Sequence, residues 1–233
     1  MQRIDKIIAS QGKYSRSEVK KLIDKNKVKV DGQVVQSSGV KVDPSKSKIT
    51  LNDLDIAYKE FVYLMLNKPK GYVSARVDKD HPTVLDLVPE ELLGRNLFPA
   101  GRLDRDTRGL VIITDDGLLA HNILSPKKHV EKIYHVKIDI PLTEDMVLGF
   151  ARGVELKDGI CKEAFLEIID EYTARVRLKE GRYHQIKRMF GCFAAKVIEL
   201  QRISMGNLTL PEDLQEGSCR ELSDEELRLL QQL

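Results

Sequence analysis

Apolar residues fall in two rhythms along the chain, and the change between them divides it. Near the start, Ile4, Ile7 and Ile8 recur at i, i+3 and i+4. That spacing predicts a short helix with one buried stripe, ended by Gly12. Ser15 stands at an N-cap position, and Glu18 three residues on completes a capping box. Val19, Leu22 and Ile23 give this second helix an apolar face, with Lys20, Lys21 and Lys25 mostly on the other side. Val28-Lys29-Val30 then alternates, Asp31-Gly32 supplies a turn and Val34-Val35 resumes, which predicts a β-hairpin. Ile49-Thr50-Leu51 adds a further short strand, and together these elements make a minimal core.

Residues 52–62 are polar and read as a linker, so the pattern predicts a small αβ domain over 1–58 and a larger one over 59–233. In the larger part, strand signals dominate, at 62–67, 110–114, 134–138, 164–169 and 174–178. Helix signals are fewer, at 84–87, 117–123, 143–153, 184–190 and 224–232. Strands and helices do not alternate regularly, which argues against a doubly wound parallel sheet. The expectation is an α+β body built on a long, mostly antiparallel mixed sheet.

Composition narrows the function classes. With 42% hydrophobic and 32% charged residues the chain is globular, not disordered. Its longest apolar run, 61–66, is far short of the roughly 18 residues needed to span a bilayer. The first residues lack the apolar stretch of a secretory signal. Three dispersed cysteines form neither a disulfide framework nor a zinc site, so a reducing cytoplasm is the expected location. The net charge of +2 hides an asymmetry: residues 1–50 carry twelve Lys and Arg against five Asp and Glu, whereas 211–233 carry seven acids and two arginines. A compact basic head suits a polyanion, because phosphate contacts release counterions.

Phosphate-loop, dinucleotide-binding, nucleophile-elbow and zincin motifs are missing. The run from Asp104 to Gly109 has the opening of a calcium loop, but Arg108 occupies a position that needs Asp or Asn, so no metal is expected. Asp115-Asp116-Gly117, after a strand and before a helix, reads as a turn with negative charge at the helix N-terminus. The informative stretch is 101–110, Gly-Arg-Leu-Asp-Arg-Asp-Thr-Arg-Gly-Leu, with three arginines and two aspartates between Arg102 and Arg108. An acid among guanidiniums stays ionised.

This stretch resembles the catalytic motif of the pseudouridine synthases, in the branch that acts on ribosomal RNA. The likeness extends to Leu66-Asn-Lys-Pro-Lys-Gly71, to Glu131-Lys-Ile-Tyr134, to Glu180-Gly-Arg-Tyr-His-Gln-Ile-Lys187-Arg-Met189 and to Glu199-Leu200-x-Arg202. The head, with Ser15-Arg16 and Asn26-x-Val28-x-Val30-x-Gly32, resembles an S4 RNA-binding domain. Within the branch the likeness is greatest to the small-subunit (16S) group.

The resemblance implies isomerisation of a uridine in small-subunit ribosomal RNA to pseudouridine, with no cofactor. The C1′–N1 bond breaks, the base turns and a C1′–C5 bond forms. Asp104 would be the catalyst, as electrostatic partner, nucleophile or base, with Asp106 the rival acid. Lys187 would orient Asp104 and keep it charged, Tyr134 would stack on the target base, and Leu200 would close the pocket. Arg102 and Arg105 would grip the RNA at the flipped nucleotide, while His184 and Gln185 would bond near the base. Lys68 and Lys70, flanking Pro69, suit a phosphate-binding turn; Arg182 and Arg188 are further RNA contacts or stand-ins for Lys187. In the head, Arg16, Lys20, Lys21 and Lys27 would touch phosphate. The implied partner is ribosomal RNA or a pre-ribosomal small-subunit particle, met by a monomer and without a membrane. Competing readings are the same reaction on large-subunit RNA, a non-catalytic assembly factor, and a carboxylate-pair glycoside hydrolase, which would need its acids across a sugar pocket.

Overall fold

The computed structural model describes residues 1–125, 128 and 130–231. Its contacts separate into two compact units: Met1–Val62 with Val88–Leu97, and Tyr63–Leu87 with Phe98–Leu233.

The first unit contains β1 (Gln2–Arg3), α1 (Ile4–Ser10), α2 (Arg16–Asp24), β2 (Val28–Val30), β3 (Gln33–Val34), β4 (Lys41–Val42), β5 (Ile49–Leu51) and β6 (Leu54–Asp55). The capping box forms as the spacing predicts: the Ser15 hydroxyl accepts from the Glu18 amide at 3.3 Å, and the Ser15 amide donates to the Glu18 carboxylate at 2.7 Å. Asp31 (φ 50°) and Gly32 (φ 82°) form the hairpin turn, both left-handed as a tight two-residue β-hairpin demands. Ile4, Ile7, Ile8, Val19, Ile23, Val28, Ile49 and Leu51 bury together. The polar stretch after Leu51 is more ordered than its composition suggests, because β6 pairs back onto β5 through Thr50 and Asp55. Residues 88–97 also belong to this unit, tied by Arg95, which donates to the carbonyls of Lys59 and Glu60.

The second unit is α+β around a nine-stranded mixed sheet. Its elements are β7 (Tyr63–Lys68), β8 (Phe98–Ala100), β9 (Arg108–Thr114), α3 (Gly117–Leu124), β10 (Lys132–Ile138), α4 (Glu144–Arg152), β11 (Glu155–Leu156), β12 (Gly159–Ile160), β13 (Phe165–Ile168), β14 (Thr173–Leu178), α5 (Gln185–Gly191), β15 (Val197–Met205), β16 (Leu208–Thr209), β17 (Cys219–Glu221) and α6 (Asp224–Gln231). The sheet runs β13-β14-β10-β15-β9-β7-β17, and only the β15–β9 pair in that path is parallel. Residues 84–87 form a 3-10 turn, not an α-helix. Gln232, at the expected end of the last helix, lies outside the described residues.

Two cores lie along this sheet. Val136, Val176 and Leu200 pack with α4 and α5 in one; Met65, Leu110 and Ile112 pack with α3 in the other. The parallel β9–β15 seam joins the two halves, and it requires Gly109. This residue has φ +105°, and a Cβ there would lie 2.2 Å from the Arg202 carbonyl oxygen. Gly109→Ala is expected to cost about 3 kcal/mol, from the steric conflict plus the left-handed backbone. A thermal melt should therefore fall by roughly 6–12 °C.

Candidate active site

The loop between β8 and β9 carries Asp104, and its backbone is tied down from several directions. The Ser74 hydroxyl donates to the Leu103 carbonyl and accepts from the Leu103 amide, both at 3.0 Å. Lys68 is fully buried, and its ammonium donates to the carbonyls of Thr107 (2.7 Å), Pro69 (3.0 Å) and Arg105 (3.2 Å). The Gly71 amide also donates to Arg105, at 2.8 Å. Arg202, 1% exposed, donates from Nε to Leu110 (2.8 Å) and from Nη2 to Gly101 (3.4 Å). Backbone atoms at 101, 103, 105, 107 and 110 are thus fixed by three buried side chains and one amide. Anchoring of this kind gives the side chains of the loop a fixed geometry.

Asp104 itself is partly accessible, its side chain 27% exposed. The Lys187 ammonium, on α5, lies 3.4 Å from its Oδ2 and hydrogen-bonds Asp106 at 2.6 Å. On the other oxygen, His184 Nε2 approaches Oδ1 at 3.5 Å, an ion pair when the imidazole is protonated. Burial opposes ionisation of Asp106, but the Lys187 hydrogen bond and charge outweigh it and hold that carboxyl below its ordinary range. One lysine therefore serves two carboxylates.

Tyr134 lies on a strand that register ties to the one bearing Arg202. It pairs with Arg202 across β10–β15, and Arg202 pairs with Gly109 across β15–β9. The alternation read in the sequence holds, since Val136 and Ile138 are buried and Tyr134 packs against the same cluster as Leu200. Arg102, Arg105 and Lys70 are exposed, with Arg105 Nη1 2.8 Å from His81 Nε2. Arg16, Lys20, Lys21 and Lys27 are likewise exposed in the first unit.

Four expected contacts are placed differently. Lys68 faces inward, because the carbonyls of the loop need a donor where water is excluded. Gln185 is buried and bonds Glu180 at 2.6 Å. Arg182 donates to the carbonyls of Gly159 (2.9 Å) and Ile160. Arg188 binds Asp158 at 3.1 Å from Nη1. The two arginines thus hold the β11–β12 hairpin. Conversely, Ser74, Arg202 and Lys132 were not singled out by sequence as site residues. The available sign for Arg202 was its place in the Glu199-Leu200-x-Arg202 motif.

Burial lowers Lys68 to about 8 from 10.5, against the opposing pull of Asp106 and Asp104. Burial and Arg202 lower Lys132 to about 8 as well. A folded value below the unfolded one means that the unfolded chain holds the extra proton between about pH 8 and pH 10.4. Stability from Lys68 therefore rises with pH across that window. Denaturant unfolding of wild type and Lys68→Met at about pH 7.5 and about pH 10 should show a smaller rise in the variant. Lys132 is common to both proteins and cancels in the comparison.

Comparison with known proteins places this geometry. The family model described as RNA pseudouridylate synthase matches residues 62–191, and the S4 domain model matches residues 2–46. The chain is 42% identical over 228 residues to ribosomal small subunit pseudouridine synthase A of Escherichia coli (strain K12), covering 97% of this chain and 98% of that protein. It is 40% identical to an uncharacterized RNA pseudouridine synthase of Bacillus subtilis, covering 98% of each. A crystal structure of a pseudouridylate synthase matches with a TM-score of 0.70 at 39% identity, covering 99% of this chain and all of the other.

Proposed function

We propose that this chain, which belongs to the RNA pseudouridylate synthase family, converts a uridine of small-subunit ribosomal RNA to pseudouridine. The observation that carries the reading is the Asp104 carboxylate, partly open to solvent on an anchored loop, with a lysine and a histidine beside its two oxygens.

The reaction needs little beyond such a site. The C1′–N1 bond breaks, C1′ bonds to C5, the C5 proton leaves to solvent and N1 takes up a proton, so atoms and charge balance. Asp104 acts at the sugar as cation stabiliser, nucleophile or base, and Lys187, 3.4 Å away, is the cation that orients it. Extruding the uridine costs roughly a few kcal/mol. Arg102, Arg105 and Lys70 offset that cost by holding the distorted backbone, and Tyr134 offers its ring to the base. Leu200 closes the apolar side. Arg16, Lys20, Lys21 and Lys27 of the S4 domain bind phosphate on the same RNA. The protein works as a cytoplasmic monomer on ribosomal RNA or a pre-ribosomal small-subunit particle.

Because C5 exchanges its hydrogen for carbon, small-subunit RNA labelled with tritium at uridine C5 should release tritium to water when the purified protein is added. Release from large-subunit RNA alone would move the target, and no release from either would remove the enzymatic reading.

A further inference from the structure

Tyr183 lies in the segment that leads into α5, and its ring is conspicuous for what it lacks. The residue is 74% exposed, although tyrosine commonly buries much of its surface. Its recorded ring contact is with His184, stacked at 3.8 Å between centroids and 16° between planes. That same imidazole stands 3.5 Å from Asp104. A flat aromatic surface is therefore one ring away from the catalytic carboxylate.

The backbone beneath it is rigid. Gln185 Oε1 accepts from the Arg182 amide at 3.0 Å, and Gln185 Nε2 donates to Glu180 at 2.6 Å. Arg188 donates to the Tyr183 carbonyl at 3.1 Å while also binding Asp158. Arg182 is fastened to the β11–β12 carbonyls. His184 adopts a left-handed backbone (φ 49°, ψ 35°), which is costly for a side chain of this size and persists only where the surroundings enforce it. The fold thus holds a strained turn with a network of hydrogen bonds and leaves the tyrosine exposed.

From this juxtaposition we infer that Tyr183, backed by His184, is a stacking platform for a nucleobase adjoining the uridine that Asp104 attacks. The inference rests on the isomerase reading and adds a second base-binding position, distinct from that of Tyr134. A preorganised ring suits this task, because stacking tolerates any base and loses little side-chain freedom on binding. When the target uridine leaves its stack, a neighbouring base loses a partner, and the Tyr183 face replaces it.

The test uses the full-length protein and a small-subunit RNA fragment containing the modified uridine. Wild type, Tyr183→Ala and Tyr183→Phe are compared on the intact fragment and on fragments with an abasic nucleotide at each adjoining position. Equilibrium binding and single-turnover conversion are both measured. Tyr183→Ala should weaken binding about tenfold, and Tyr183→Phe, which keeps the ring, should match wild type. One abasic position should weaken wild type by a similar factor yet add nothing to the loss in Tyr183→Ala, as coupled partners do. Wild-type affinity in Tyr183→Ala, or losses that multiply at every abasic position, would overturn the platform. Failure of wild type to form pseudouridine would instead strike the underlying reading, and the binding arm decides the platform in that case too. An unchanged melting temperature in Tyr183→Ala confirms that the variant is folded.

Discussion

Asp104→Asn should bind small-subunit RNA as wild type does and make no detectable pseudouridine, a loss of roughly 10⁴-fold or more. The substitution keeps the shape of the side chain and its place on a loop anchored at Leu103, Arg105 and Thr107. It removes only the negative charge. Phosphate contacts, which supply most of the affinity, lie elsewhere, so binding and chemistry should separate. Tritium release at saturating RNA measures the chemical loss, and a filter-binding titration measures affinity. Parallel loss of both would mean that the charge serves folding or binding and not the reaction. Asp106→Asn should be much milder. Asp106 is more exposed (67% against 27% for the Asp104 side chain) and acts by sharing the Lys187 ammonium.

Lys187→Met is expected to lower the rate at neutral pH by about 10²–10³-fold, comparable to removing one charged stabilising group from a preorganised site. Its Nζ is 3.4 Å from Asp104 and 2.6 Å from Asp106. Without that cation the negative charges of Asp104 and Asp106 are left uncompensated on one loop, and Asp106 loses the partner whose hydrogen bond and charge hold its carboxyl low. The rate at saturating RNA should therefore fall while RNA affinity changes little. Lys187→Arg, which keeps the charge, should recover much of the rate. A purely structural lysine would lower the melting temperature and the affinity along with the rate, and Lys187→Arg would restore none of them.

Legibility in the sequence followed the range of the interaction. Local signals carried through: the capping box at Ser15 and Glu18, the Asp31-Gly32 turn, and the alternation from Tyr134 to Ile138 all depend on neighbours in the chain. Asp116 caps α3 by accepting from the Leu118 and Leu119 amides, in keeping with the turn and helix N-terminal charge read at that point of the sequence. The strand β15 was not legible as a strand. It mixes Glu199, Gln201 and Arg202 with apolar residues, and it is sustained by pairing on both sides, with β10 and with β9. That pairing also makes the sheet's parallel seam, which no local pattern encodes. Segment 88–97 joins the first unit through Arg95 and backbone carbonyls far away in sequence, again a long-range choice.

At the site, the motifs pointed to Asp104 and Lys187. They could not tell an outward lysine from an inward one. Lys68 and Lys70 look alike in sequence, yet Lys68 is buried under the loop and Lys70 is in solvent. The difference arises because the loop carbonyls at Arg105 and Thr107 need a donor, and that need exists only once the loop is folded. The same holds for Arg182 and Arg188, whose partners belong to a hairpin more than twenty residues upstream.

The most direct measurement is a map of pseudouridines across ribosomal RNA from three strains of the source organism: one with the gene intact, one without it, and one carrying only Asp104→Asn. A small-subunit uridine should be modified in the first strain and unmodified in the other two, with all large-subunit sites unchanged. A map identical in all three, or one restored by Asp104→Asn, would contradict the account.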